Sequence, residues 1–109
     1  KFLKLHPEVY DKLILGSGSG HKLSFPGISG IQELGILQSV NKKKERLFKI
    51  PTVNTCSYIG VENSGKIKEG YEANLILYSE NPTNKYSHLY KIEKVYYQGD
   101  LVDPYKGMK

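Results

Sequence analysis

Residues Leu13 to Gly27 read LILGSGSGHKLSFPG. Three consecutive apolar residues, Leu13-Ile14-Leu15, run straight into a loop of glycine and serine. A short apolar run without alternation fits a strand buried on both faces, as in a parallel sheet. Gly16, Gly18 and Gly20 then free the backbone from the steric limits that a Cβ imposes. Loops of this kind after a buried strand often hold a ligand, so Ser17, Gly18, Ser19 and His21 form the candidate pocket loop. The stretch Gly16–Gly20 meets neither the phosphate-cradling G-x-x-x-x-G-K-[ST] pattern nor the G-x-S-x-G nucleophile elbow. A plain flexible loop is the simpler account of it.

Before this stretch, residues 1–12 suggest a helix end broken near Pro7, where a backbone donor is lost. After it, Ser29 has the character of a helix N-cap, and Gln32 stands at the capping-box spacing. Ile31, Leu34, Leu37 and Val40 follow at three-residue steps, with Ile36 beside them, which predicts an amphipathic helix. A second short helix is predicted from Glu45 to Ile50, stopping at Pro51. A third, Val53 to Ile59, is capped by Thr52 and ended by Gly60 in the C′ position. The pattern then changes period. Turn clusters at 62–65 and 69–72 flank Lys66-Ile67-Lys68. Strands are predicted at 74–78 and 92–97, and Gln98-Gly99-Asp100 makes a tight turn into Leu101-Val102. Helices in the first half and strands in the second indicate the tail of an α/β layer followed by a small sheet.

Bulk properties narrow the function. The 109 residues suffice for one small domain, and 39% hydrophobic content with nine Tyr and no Trp suits a modest core. The charge is +5, carried almost wholly by lysine, and Arg46 is the only arginine. Bidentate contacts to phosphates and bases favour arginine, so this composition argues against nucleic acid as the partner. Lys42 to Arg46 are most simply a solvated helix junction. Cys56 is alone, which leaves no intrachain disulfide and no cysteine-based zinc site, and it reads as a small buried hydrophobe. His6, His21 and His88 lack metal-ligand spacing, so His21 alone does not make a zinc site. No run is long enough to span a membrane. A cytoplasmic location is the expectation; the chain opens on Lys1 rather than Met, which leaves a preceding signal segment open. Tyr58, Tyr71, Tyr78, Tyr90, Tyr96 and Tyr97 read as core and rim of the small sheet, with a stacking surface as the sharper alternative.

Three segments in order, LILGSGSGHKLSFPGISGIQELGIL, TVNTCSYIG and GKIKEGYEANLILYSENP followed by IEKVYYQGDLVD, resemble the carboxy-terminal portion of the amidohydrolase superfamily. The likeness is to its imidazolonepropionase-like and prolidase-like members and spans residues 13–103. In that family a last barrel strand ends in Gly-Thr-Asp or Gly-Ser-Asp. A Pro-Gly-x-Ser loop, Thr-x-Asn-x-x-x-x-x-Gly and Gly-x-Ile-x-x-Gly-x-x-Ala-Asp-Leu follow. Gly65, Ile67, Gly70, Ala73 and Leu75 match the last motif, and Asn74 replaces its aspartate.

The resemblance implies an α/β fragment: the last strand (13–16) and helices of a (β/α)8 barrel in residues 1–60, then the carboxy-terminal strands of a small β-sandwich in residues 61–109. A full barrel takes about 250 residues, more than this chain has. The family activity is metal-dependent hydrolysis of amide or cyclic amide C–N bonds. Zinc is its metal, and a last-strand aspartate serves as ligand and general base. Here Gly18 stands in the aspartate position, and the other family ligands, a first-strand His-x-His, a mid-barrel lysine and two later histidines, lie upstream of this sequence. The resemblance therefore implies no catalytic residue, no metal ligand and no cofactor within this chain. Its implied partner is the rest of the barrel, or a self-dimer covering the exposed strand. The alternative is a stand-alone binding or interaction module with a basic surface.

Overall fold

The computed structural model describes residues 1–18, 20, 22, 28–40, 44–103 and 106. The chain divides into two compact units, Lys1–Glu62 and Asn63–Lys109.

The first unit is helical. A one-turn helix, α1 (Phe2–Leu5), is followed by a 3-10 helix, Pro7–Lys12, with Pro7 at its first turn where a missing N–H costs nothing. Helix α2 (Ser29–Val40) starts at Ser29 itself, one place earlier than the capping pattern predicts: the Gln32 N–H already donates to the Ile28 carbonyl at 3.1 Å. Leu34 of its stripe is buried, Ile31, Leu37 and Val40 are half-buried, and Ile36 faces out.

Pro51 does not stop the next helix. α3 (Lys44–Lys49) passes through a π turn (Ile50–Asn54) directly into α4 (Thr55–Ile59). Proline removes the donor for the carbonyl four residues back and crowds that carbonyl with its ring. Widening the helix by one residue per turn relieves the crowding. Two hydroxyls help hold the widened turn: Thr52 Oγ1 donates to the Phe48 carbonyl at 2.6 Å, and Thr55 Oγ1 to the Ile50 carbonyl at 2.7 Å. Gly60, at φ +81°, then ends α4. The Val61 N–H reaches back to the Cys56 carbonyl at 2.9 Å and the Gly60 N–H to Ser57 at 3.3 Å, a Schellman arrangement.

Leu13–Leu15 form no strand. Leu13 has extended backbone angles, but these residues pair with no strand among the described residues. The Leu13 carbonyl, which a ladder would use, accepts instead from Asn54 Nδ2 at 2.8 Å. The same amide donates to the Tyr10 carbonyl at 3.1 Å. Tyr10 is fully buried with Ile50, Leu47 and Leu34, which bring the 3-10 helix, the π turn, α3 and α2 to one core. The Tyr10 hydroxyl makes a long hydrogen bond, 3.5 Å, to the Leu37 carbonyl of α2.

The second unit is a three-stranded antiparallel sheet, β1 (Leu75–Tyr78), β2 (Ile92–Tyr97) and β3 (Asp100–Val102), in the order β1-β2-β3. Leu75 opposes Tyr96, Ile76 opposes Val95 and Leu77 opposes Lys94, with a bulge before Tyr78; Val95 opposes Val102 and Tyr96 opposes Leu101. Gln98 and Gly99 both have positive φ, 50° and 87°, as a type I′ hairpin turn requires. Asn74 braces that turn: its Oδ1 accepts the Gln98 N–H at 2.9 Å, and the Ala73 carbonyl accepts the Gly99 N–H at 3.1 Å. Gly65 and Gly70 also have positive φ, which explains glycine at both places. Lys66-Ile67-Lys68 joins no strand, and Ile67 is 92% exposed. A 3-10 helix, Tyr86–Tyr90, lies between β1 and β2 and carries the buried Leu89.

Asn54→Ala is expected to destabilise the first unit by about 2 kcal/mol, because it removes two part-buried hydrogen bonds and leaves the Leu13 carbonyl without its donor. Gln98→Asn is expected to stabilise the second unit by about 0.5 kcal/mol, since asparagine tolerates positive φ better than glutamine. Urea denaturation of each variant, followed by probes in each unit, checks both.

Candidate functional site

The pocket loop leaves Leu15 at the first turn of α2, where a Cβ added at Gly30 would lie 3.7 Å from Leu15 Cδ2. Gly18 has φ +59° and Gly20 φ +110°, a left-handed path that glycine takes without strain. Apart from chain neighbours, no described residue lies within 4 Å of a Cβ built at Gly16, Gly18 or Gly20; at Gly18 and Gly20 the positive φ itself calls for glycine. Ser17 is exposed. Ser19 and His21 lie outside the described residues.

Two carboxylates elsewhere in the first unit, Asp11 and Glu8, are engaged structurally. Asp11 Oδ1 lies 3.8 Å from Arg46 Nε, and Arg46 Nη1 donates to the Pro7 carbonyl at 3.2 Å. The only arginine thus ties α3 to the 3-10 helix rather than serving as an open anion contact. His6 Nδ1 is 3.1 Å from Glu8 Oε1, and its ring lies 4.7 Å from the Phe2 ring. A backbone hydrogen bond at Glu8 itself is the largest influence holding that carboxyl below the ordinary range; desolvation opposes, and His6 and Arg46 assist. Burial pushes the phenols of Tyr10 and Tyr78 up, so both stay protonated at neutral pH. Cys56 is half-buried in α4, where the sequence reading placed a small buried hydrophobe.

Gly18 offers no donor atom, and among the described residues no three His, Cys, Asp or Glu converge as ligands. Nor is any helix among them long and apolar enough to cross a membrane.

Two polar clusters escape sequence reasoning. Asn74 Nδ2 donates to Ser64 Oγ at 3.3 Å and to Glu72 Oε2 at 3.2 Å while Oδ1 holds the Gln98 N–H. An aspartate there would lose both donors and face Glu72 with a second negative charge. The departure from Ala-Asp-Leu therefore has a local structural use. The second cluster gathers Glu80, His88 and Lys91 at the ends of the β1–β2 connection. Their spacing matches no catalytic or metal motif; only the fold of residues 79–91 brings them together.

Compared with known protein families and with curated proteins, the chain matches none.

Gly18→Asp is expected to cost up to about 1 kcal/mol of backbone strain. Gly18→Ala, whose Cβ likewise meets no described residue beyond its chain neighbours, should cost a similar amount. Equal melting-temperature losses in calorimetry would bear out strain as the cause.

Proposed function

We propose that this chain is the carboxy-terminal part of an amidohydrolase-like protein. The complete protein would hydrolyse amide or cyclic amide C–N bonds with a divalent metal held by residues outside this sequence. The observation that carries the reading is a sheet with apolar side chains on both faces. Leu75, Leu77, Tyr96 and Leu101 share one face with Lys94; Ile76, Val95, Tyr97 and Val102 share the other with Glu93 and Asp100. Ile76 is 50% exposed and Leu101 61%, so neither face is closed. A sheet that carries several large apolar side chains on each side gains from cover on both, as the inner layer of a sandwich has. A sandwich completed by strands from the other end of a longer chain would supply that cover.

Asn54 supports the same reading from the first unit. It lies in the Thr-x-Asn segment of the resemblance and holds the extended residues at Leu13 against the helices that follow. Leu13–Leu15 pair with no strand among the described residues, which fits a last barrel strand separated from its neighbours. Gly18 contributes neither ligand nor base, so catalysis is not assigned to any residue here, and zinc chemistry would rest on the upstream ligands alone.

The test is the intact mass of the protein as its own cell produces it. A mass several times 12.3 kDa, with a His-x-His near its start, is the expected result. A mass near 12.3 kDa would sink the reading and leave a stand-alone interaction module in its place.

A further inference from the structure

The loop from Ser79 to Lys91 closes on itself through a set of polar contacts that the hydrolase reading does not use. At its neck, the Ser79 N–H donates to the Lys91 carbonyl at 3.0 Å, and Ser79 Oγ to the same oxygen at 3.4 Å. Asn81 forms an Asx turn: its Oδ1 accepts the Thr83 N–H at 2.9 Å and the Thr83 hydroxyl at 2.7 Å. That turn fixes the Asn81 carbonyl, which contacts the Asn84 N–H at 3.2 Å and His88 Nδ1 at 2.8 Å. The other ring nitrogen, His88 Nε2, lies 3.0 Å from Glu80 Oε2. Lys91 Nζ donates to the second carboxylate oxygen of Glu80.

Both neighbours of the imidazole are acceptors. A carbonyl oxygen cannot donate. The Glu80 carboxyl is held ionised: the hydrogen bond from Lys91 is the largest cause lowering it below the ordinary range, partial desolvation opposes, and the charges of Lys91, His88 and Lys85 add to the lowering. A neutral imidazole has one N–H, so one of its two contacts would become a lone pair facing an oxygen. Only the doubly protonated ring satisfies both. The His88 side chain is 13% exposed, which leaves little room for water to replace a lost contact.

We propose that His88 is a pH-operated latch on this loop. As imidazolium it pins the 3-10 helix Tyr86–Tyr90 to Glu80 and Asn81, and loss of its proton releases the helix and the neighbouring Leu89. The groups that set the latch are Glu80 on one side, Lys91 and Lys85 around that carboxylate, and the uncharged Asn81 carbonyl on the other. The sign follows from proton binding. Two acceptors flanking the ring favour the imidazolium in the closed loop, so closure weakens where that proton is lost on the alkaline side. At the acid end Glu80 acts oppositely. Its lowered carboxyl contributes to closure above its ordinary titration range, and that contribution is lost as pH falls through the lowered value. The latch does not depend on the hydrolase reading.

The test uses the 109-residue chain, with nitrogen NMR of the histidine rings and hydrogen exchange of the Ser79, His88 and Lys91 amides, read as protection relative to an unstructured peptide. At about pH 6 both His88 nitrogens should carry protons, and protection should fall roughly threefold to tenfold by about pH 8.5. Glu80→Gln should abolish that fall, because its amide can donate to a neutral imidazole or accept from a charged one. His88→Gln should lower protection at both pH values and remove the step. If that variant does not fold, Glu80→Gln still decides. A singly protonated His88 in the protected loop, or a full pH step retained in Glu80→Gln, would overturn the proposal.

Discussion

The first unit depends on one amide group. Asn54 Nδ2 donates both its protons to main-chain carbonyls, those of Tyr10 and Leu13, from a position on the π turn. Without it the Leu13 carbonyl would lose its donor, a loss comparable to a whole hydrogen bond or more, and the Tyr10 carbonyl would keep only the Leu13 N–H at 3.3 Å. The two bonds also set geometry. They hold the 3-10 helix at the distance that places Tyr10 against Leu34, Leu47 and Ile50, the buried residues of this small core. So few residues cannot specify a unique arrangement by packing alone, and directional bonds take a larger share. Arg46 adds a second tie from α3 to Pro7 and Asp11.

The second unit uses the same device. Its apolar side chains are divided between two half-open faces, so the sheet gains less from burial than a one-faced sheet of its length. Asn74 compensates locally. It joins the turn at Ser64, the carboxylate of Glu72 and the hairpin at Gln98, and so holds a non-glycine residue at positive φ. Asparagine suits this place because it carries donors and an acceptor together. Aspartate, which the resemblance leads one to expect, carries acceptors alone.

Much of the local structure was legible. The three-residue stripe of α2, the glycine stop at Gly60, the two-residue turn at Gln98-Gly99 and both long strands follow from side-chain period and turn chemistry, which act over a few residues. The failures share a cause. Pro51 predicts a stop because a proline in a regular α-helix is costly; Thr52 and Thr55 make the widened turn available instead. Leu13–Leu15 predict a strand because three apolar residues in a row favour one, but a strand exists only when another lies beside it. The candidate loop fared similarly. Glycine spacing drew attention to Ser17 and Gly18, while the charged clusters of the molecule formed elsewhere.

By itself the sequence determined the two-part order of helices then strands, the absence of a carboxylate at Gly18 and the local turns. All three are matters of composition or of neighbours within one or two turns of chain. Tertiary structure alone decided that Asn54 would replace a β-ladder at Leu13, that Arg46 would be spent on Pro7 and Asp11, and that Glu80, His88 and Lys91 would meet. Those contacts join residues up to 44 positions apart (Tyr10 and Asn54). No periodicity encodes them, because a hydrogen bond is decided by where donor and acceptor finally lie and whether water can reach them.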